Sequence, residues 1–189
     1  IDWENFYKQY RGFIGMIFEV MTLFPEIIES YCDVSIMKRA KEAGVFDVNT
    51  VNPRDFTLDK HKKVDDTPYG GGAGMVLAPQ PYVDAYESIN KIDNSITIML
   101  SPQGIPLDEK LVCKLANYKQ IIMLCGHYEG FDERIREIIK PLEVSIGDFV
   151  LTGGELPALC LIDAVSRKIE GTVGKIESAN DEIGRAHVW

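Results

Sequence analysis

The chain has 189 residues, of which 46% are hydrophobic and 26% charged, and its formal net charge is −9 at pH 7. This length fits one domain, or one domain with a fragment of a second, and the composition excludes disorder over most of the chain. The negative charge argues against binding of nucleic acid by bulk charge, although two local basic patches occur at 38–41 and 54–63. With no long apolar run, no secretory signal and no metal-ligand spacing, we expect a cytoplasmic, reduced protein without a membrane span or a metal.

Short apolar segments alternate with helical segments along the chain. We predict a first strand from Ile17 to Leu23, followed by one helix from Pro25 to Ala43 that Gly44 ends. Three of the four cysteines flank or lie in apolar segments, so we expect them to be small buried hydrophobic residues. Further strands are predicted at 46–51, 96–100, 121–125 and 144–151, and further helices at 80–89, 108–116, 132–139 and 155–167.

This alternation predicts an α/β domain with a parallel sheet that helices cover on both faces. Such sheets bind ligands at the loops that leave the carboxyl ends of the strands. Three loops with glycine hold that position here, at Ser101–Gly104, Gly126–Gly130 and Thr152–Gly154. Because glycine lets a ligand approach the backbone closely, these loops favour a flat polar ligand such as a nucleobase, although glycines also serve simply to turn the chain.

The residues alone leave the chemistry open. The known phosphate-loop, dinucleotide and nucleophile-elbow patterns are missing from the sequence, and the histidines lack metal spacing. Polar residues next to the glycine loops could act as a base or stabilise negative charge, or could form structural ion pairs. These residues are Glu129, Asp148, Glu155 and Arg167.

Five motifs in order carry a resemblance to a known family. They are the segments at 51–57, 64–75, 100–104, 125–134 and 145–158, among them Tyr69-Gly70-Gly71-Gly72-Ala73-Gly74-Met75 and Leu151-Thr152-Gly153-Gly154-Glu155-Leu156-Pro157. Together they resemble the bacterial tRNA (guanine-N1)-methyltransferases, the TrmD type of the SPOUT superfamily, over roughly Met16 to Glu182. The resemblance implies a parallel sheet with helices on both faces and a deep C-terminal trefoil knot, a rare exception to the rule against threaded chains.

The resemblance also implies a homodimer with two sites at its interface, S-adenosyl-L-methionine as the methyl donor, and tRNA as the acceptor, at the guanine 3′ of the anticodon. The donor would lie in the knot loops, with the backbone of Gly126 and of 146–151 around its adenosine. Glu129 would in addition hold the target base. The residues that the resemblance assigns to donor binding are Leu100, Ser101, Pro102, Gly126, Tyr128, Glu129, Ser145, Ile146, Gly147, Asp148, Phe149, Val150, Leu151, Gly153, Gly154 and Pro157.

Two catalytic groups follow from the same resemblance. Arg167 matches the family's arginine, which would stabilise the charge that moves to guanine O6, and a carboxylate would take the N1 proton. Counting from Ser178-Ala179 places Glu182 at the carboxylate position, with Asp181 one residue away. His127 stands where many relatives carry arginine, and Arg54, Lys60, His61 and Lys63 are candidates for phosphate contacts.

The ends of the chain shape the remaining expectations. We expect an extension at 1–15, the SPOUT methyltransferase domain at 16–175, and at 176–189 a truncated linker with a non-native tail in place of the family's C-terminal domain. Such a chain is predicted to fold, dimerise and bind the donor, yet to methylate tRNA feebly or not at all. The alternatives are a SPOUT methyltransferase for another RNA site and a non-catalytic module for RNA binding or dimerisation.

Overall fold

The computed structural model describes residues 15–68, 71 and 74–173. Nearly all of the predicted extension and the whole of the predicted tail lie outside these residues, as do Asp181 and Glu182. The strands are β1 (Met16–Met21), β2 (Phe46–Val51), β3 (Asp65–Asp66), β4 (Val76–Leu77), β5 (Ser95–Pro106), β6 (Gln120–Leu124) and β7 (Leu142–Ser145). The helices are α1 (Pro25–Cys32), α2 (Ser35–Glu42), α3 (Pro79–Ser88), α4 (Glu109–Leu115), α5 (Glu133–Ile139) and α6 (Glu155–Ser166), with a 3₁₀ turn at Pro53–Asp55.

The central sheet has five parallel strands in the order β2-β1-β6-β5-β7, which confirms the predicted parallel sheet. All six residues of β1 are buried, and so are all five of β6, as expected for strands with a neighbour on each side and helices above and below. The carboxyl ends of β5, β6 and β7 meet at one edge of the sheet. The three glycine loops of the sequence are therefore brought to the same place.

Alternate residues of the strands build two apolar cores, one on each face of the sheet. Phe18, Ile121 and Ile98 point to one core, where α1, α2, α4 and α6 pack. Met99 and Ile122 point to the other, which α3 and α5 cover together with Val64 and Leu77. Helices thus pack on both faces. None of the helices in the described part of the chain is long and apolar enough to cross a membrane.

The prediction of one helix from Pro25 to Ala43 is wrong. Helix α1 ends at Cys32, and α2 begins at Ser35, whose φ of 53° lies in the left-handed region. An L-residue with a side chain adopts that region at a cost, so the chain turns sharply here. The turn lets both short helices bury an apolar stripe, with Ile28 and Cys32 on α1 and Met37 and Ala40 on α2.

Two predicted strand ends are also wrong. Strand β7 stops at Ser145, and the apolar stretch from Ile146 to Leu151 is a loop rather than a strand. Strand β5 does not end at Leu100 but continues to Pro106, with an irregularity in its pairing to β7 between Leu100 and Ile105. The predicted turn at 101–104 is thus a bulge within a strand.

The cysteine prediction holds for two residues. Cys32 and Cys125 are fully buried, whereas Cys113 and Cys160 are exposed on helices. All four thiols are free.

Candidate functional site

A cavity of about 370 Å³ lies at the carboxyl ends of β5, β6 and β7. It is lined by the bulge of β5, the loop after β6 and the long loop between β7 and α6. Every residue that the resemblance assigns to donor binding lines this cavity, except Asp148, which is exposed and is not among the lining residues. The sequence motifs that lie far apart in the chain are therefore neighbours in space, although their roles stay predictions.

Close backbone contacts hold the three walls together. Gly154 N–H donates to the carbonyl of Gly126 over 2.9 Å, and a Cβ on Gly154 would lie 2.6 Å from Cys125 Cα. At the opposite wall, a Cβ on Gly104 would lie 2.4 Å from Val144 N. Real side chains never approach backbone atoms this closely, so both contacts require glycine. The walls are thus backbone packed against backbone, with peptide groups available to a ligand.

The glycine-rich segment before α3 forms a further support of the site. Glu129 N–H donates to Met75 O over 3.0 Å, and Leu77 N–H donates to Gly130 O over 2.9 Å. Gly74 has a φ of +90°, and a Cβ there would lie 2.5 Å from Glu129 Cγ. Gly74 therefore lies directly against the Glu129 side chain. Sequence periodicity could not reveal the contact, because 54 residues separate Met75 from Glu129.

A buried polar cluster lies behind the cavity. Glu155, the first residue of α6, is 3% exposed, and its Oε2 is 2.7 Å from His127 Nε2. Its Oε1 accepts a hydrogen bond of 2.6 Å from the Thr22 hydroxyl. A carboxylate out of water needs such partners, and the N-terminus of a helix further favours its negative charge.

Neither the buried Cys125 thiol nor the buried Tyr82 phenol near this cluster is suited to act as a nucleophile. Complete burial raises the pKa of the Cys125 thiol well above its usual value, and the nearby Glu155 carboxylate adds to the shift. Burial likewise raises the pKa of Tyr82, whose hydroxyl donates to Cys125 O over 3.4 Å. Both groups stay protonated at neutral pH, so a covalent intermediate on the thiol is not supported.

The predicted catalytic arginine does not lie in the cavity of its own chain. Arg167 follows the last residue of α6, is half-buried, and is absent from the residues that line the cavity. The cavity touches the other end of that helix, at Pro157, so a helix rise of about 15 Å separates the two positions. The other predicted catalytic positions, Asp181 and Glu182, lie outside the described residues.

Several lining residues were not assigned individually to donor binding, although Gln103, His127, Gly130 and Thr152 lie in the three predicted glycine loops. Gln103 and Arg136 lie at the cavity, and Arg136 is held there by Glu133 and by Glu143, at 2.9 and 3.1 Å. Phe131, Gly130, His127, Val144 and Thr152 also line it. Most of these lie within the quoted motifs, so the motif boundaries could have identified them. Arg136 could not be found that way, because it lies on a helix outside the motifs.

The basic segment at 54–63 forms an exposed turn away from the three walls. Lys60, His61 and Lys63 are exposed, whereas Arg54 is half-buried and donates from Nη1 to Lys62 O over 3.3 Å. Asp59 accepts the backbone N–H groups of His61 and Lys63, which lowers its pKa and shapes the turn. Lys62 is exposed as well, so this turn carries three exposed cationic side chains, those of Lys60, Lys62 and Lys63.

Comparisons with known proteins agree with this architecture. The family model described as tRNA (Guanine-1)-methyltransferase TrmD matches residues 16–188. A tRNA (guanine-N(1)-)-methyltransferase from Synechococcus sp. is 52% identical over 167 residues, which is 88% of this chain and 66% of that protein. One from Clostridioides difficile is 53% identical over 170 residues, 88% of this chain and 74% of that protein.

A solved structure agrees as well. The crystal structure of tRNA (m1G37) methyltransferase from Aquifex aeolicus superposes with a TM-score of 0.77 at 40% identity, covering 85% of this chain and 73% of that one. The described part of the chain therefore has the α/β fold of these methyltransferases. The chain belongs to the tRNA (Guanine-1)-methyltransferase TrmD family. It spans just under two thirds of the length of the Synechococcus relative.

Proposed function

We propose that the protein methylates N1 of guanine in tRNA, at the guanine 3′ of the anticodon, with S-adenosyl-L-methionine as donor. The observation that carries the proposal is the backbone-walled cavity at β5, β6 and β7 in a chain of the TrmD family. The names of the Synechococcus and Aquifex proteins support the acceptor, since both are described as methyltransferases of guanine in tRNA.

The cavity suits the proposed donor in size and in chemistry. Its volume of about 370 Å³ falls in the range of small-molecule sites. Leu100, Pro102 and Leu151 offer apolar contact for a flat adenine, and the loop at 146–151 offers peptide groups for its polar edge. Gly126, Gly147 and Gly153 line the cavity and place no side chain in it, while the space of each missing Cβ is taken by a neighbouring protein side chain.

The contacts around the bulge of β5 support a knotted chain. Gly104 packs on the backbone of Glu143 and Val144, and Leu107 N–H donates to Ser145 O over 2.8 Å. The chain after Ser145 then continues to Gly153 and Gly154, which pack against the loop after β6. We infer that the segment after β7 is threaded between the bulge of β5 and the loop after β6, as in the trefoil knot of the SPOUT superfamily.

The protein needs to supply a base and a positively charged group, because the methyl group of the donor is already activated. When bound, the donor supplies a methyl group on positively charged sulfur, so its carbon accepts the N1 electron pair while the carbon–sulfur electrons stay on sulfur. Guanine N1 carries a proton, which the carboxylate at Asp181 or Glu182 would remove. The Arg167 guanidinium would stabilise the negative charge that moves to O6, and Glu129 would hold the guanine edge.

A homodimer explains the distance between Arg167 and the cavity. Exposed apolar side chains form two adjacent helical stripes, with Ile27 and Tyr31 on α1 and Leu156 and Cys160 on α6. The stripes are joined by a hydrogen bond of 2.5 Å from the Tyr31 hydroxyl to Asp163. Phe149, Val150 and Leu151, which line the cavity, are exposed apolar residues as well. We infer that a second copy covers this surface and brings its Arg167 to the cavity.

Replacing Leu156 with glutamate is expected to convert the dimer into monomers. Leu156 is 57% exposed in the single chain, so the fold tolerates the charge, whereas an interface would bury it without a partner. Analytical ultracentrifugation at several protein concentrations measures the change. Ile138→Glu is the matched control, because Ile138 is equally exposed, at 57%, on a helix of the opposite face. A dimer in both variants would contradict the proposed interface.

The donor and the acceptor can be tested separately. Calorimetry with S-adenosyl-L-methionine is expected to show one site per chain, and incubation with a tRNA transcript is expected to give N1-methylguanine, detected by nucleoside mass spectrometry under enzyme excess. A transcript with adenine at the position 3′ of the anticodon should accept no methyl group. The absence of donor binding would refute the proposal, and methylation at another nucleoside would assign the protein to a different RNA site.

A further inference from the structure

His127 is fixed from several sides behind the donor cavity. Its Nε2 is 2.7 Å from Glu155 Oε2, and its ring centroid is 4.9 Å from that of Phe24. It also forms an isolated antiparallel bridge with Gly153. The residue therefore joins three segments, namely the end of β1, the loop after β6 and the start of α6.

The direction of the hydrogen bonds in this cluster follows from the Thr22 hydroxyl. That oxygen accepts the Phe24 N–H over 2.9 Å, so its own proton is free to point to Glu155 Oε1 at 2.6 Å. One carboxylate oxygen is thus satisfied by Thr22. An ionised Glu155 then requires a donor at Oε2, and His127 Nε2–H is the group that the structure places there.

Gly153 shows that the chain is built around this pair. A Cβ at position 153 would lie 2.4 Å from His127 Cε1 and 2.5 Å from Glu155 Oε2. Any side chain there would separate the imidazole from the carboxylate. The glycine of this loop therefore has a second use besides close approach to a ligand, since it makes room for the hydrogen bond behind the wall.

The loop that His127 begins is strained. Tyr128 has a φ of 59°, in the left-handed region where a residue with a side chain pays of order 1–2 kcal/mol. Tyr128 and Glu129 are exposed at the cavity, so packing of their own side chains does not hold the loop. The anchors are the backbone hydrogen bonds that join Glu129 to Met75, Gly130 to His127 and Leu77, and Gly126 to Gly154, together with the His127 ring itself.

We propose that His127 is a positioning residue for the reaction, which clasps the loop Gly126–Gly130 to the start of α6 through Glu155 and so fixes the cavity walls and the strained Tyr128-Glu129 pair. The proposal rests on the proposed function, because it concerns the walls of the donor cavity. Without the clasp, backbone hydrogen bonds alone hold the loop, so the strained Tyr128 is free to relax toward negative φ and the Tyr128-Glu129 pair loses its fixed position at the cavity.

Two substitutions with the same functional group test the clasp. The amide nitrogen of His127→Gln can take the place of Nε2 and donate to Glu155, whereas that of His127→Asn is one methylene shorter and does not reach. We expect His127→Asn to weaken binding of S-adenosyl-L-methionine about 10- to 100-fold, as for a lost hydrogen bond to a charged group, and His127→Gln to stay within about threefold of wild type.

Calorimetry and thermal melting with and without the donor measure both effects, and donor-saturated single-turnover rates separate binding from chemistry. Equal donor affinity in wild type and His127→Asn would overturn the clasp, and so would a His127→Gln variant that binds as weakly as His127→Asn. If His127→Asn fails to fold while His127→Gln folds and binds S-adenosyl-L-methionine, the hydrogen bond from residue 127 to Glu155 is still what distinguishes the two variants, and the clasp is supported. Failure of the wild-type chain to bind the donor would instead refute the proposed function.

Discussion

Arg167→Ala is expected to slow methyl transfer about 10²- to 10³-fold, as the loss of one donor to a developing negative charge does in other enzymes. Donor affinity should stay close to that of wild type, because the proposed contact of Arg167 is with guanine O6 and not with the methyl donor. Single-turnover assays with labelled donor give the rate, and calorimetry gives the affinity. Equal losses in both would assign Arg167 to structure rather than to the reaction.

Two controls sharpen this result. Arg167→Lys keeps the positive charge but loses the planar pair of N–H groups, so it should recover part of the rate. Lys168→Ala removes the neighbouring cation, which pairs with Glu109 on the surface between α4 and α6, and should leave the rate nearly unchanged. A large loss of rate in Lys168→Ala would indicate that substitutions at the end of α6 slow the reaction by disturbing the fold rather than by removing the Arg167 guanidinium.

Mixed dimers test whether Arg167 serves the cavity of the partner. Gly147→Val is expected to fill the donor cavity without harm to the fold, since the three atoms nearest to a Cβ at 147 all belong to the half-exposed Phe149 ring. An equal mixture of Arg167→Ala and Gly147→Val chains should recover about a quarter of wild-type activity, because half of the dimers contain one complete site. No recovery, with mixed dimers verified by mass spectrometry, would contradict a site shared between two chains.

The sequence was sufficient to predict the parallel sheet because its central strands are short, apolar and rich in β-branched residues. Ile121 and Ile122 in β6, for example, need apolar cover on both faces. The loop Gly126–Gly130 follows from the same pattern, since it comes soon after β6, whereas 101–104 lies within β5 and Thr152–Gly154 begins seven residues after the end of β7. Their meeting at one cavity depends on the strand order, and there the family resemblance supplied what local pattern could not.

The errors of sequence prediction have physical reasons. The break between α1 and α2 contains neither glycine nor proline, so no residue in the sequence indicates it. The chain turns there because Ser35 adopts the left-handed region, and the turn lets Ile28 and Met37 reach the same core. The segment Ile146–Leu151 looks like a strand because it is apolar, but Phe149 and Val150 are exposed, at 52% and 84%. A loop with apolar residues exposed at a binding site or an interface can have the same composition as a buried strand. Composition alone therefore cannot distinguish such a loop from a strand.

Gly104→Ala is expected to lower the free energy of unfolding by about 3 kcal/mol or more. This is the upper end of the usual loss of stability when a side chain is enlarged in a tightly packed site. A Cβ at 104 would lie 2.4 Å from Val144 N, 2.5 Å from Glu143 C and 2.6 Å from Val144 C. These are backbone atoms of the strand paired with β5, so neither partner can turn aside as a side chain would. Relief requires β7 to separate from the bulge of β5.

Gly147→Ala is the matched control for this prediction. Its Cβ would be as close, 2.2 Å from Phe149 Cε1, but that ring is half-exposed and can swing away, so a loss below about 1 kcal/mol is expected. Equilibrium unfolding in urea at one fixed protein concentration compares the variants, since a dimer makes stability depend on concentration. Because β7 leads directly into the loop at 146–151, Gly104→Ala should also weaken donor binding, although residue 104 does not line the cavity. A Gly104→Ala protein as stable as Gly147→Ala would show that β5 and β7 are not in close contact at the bulge, and the inferred threading would lose its main support.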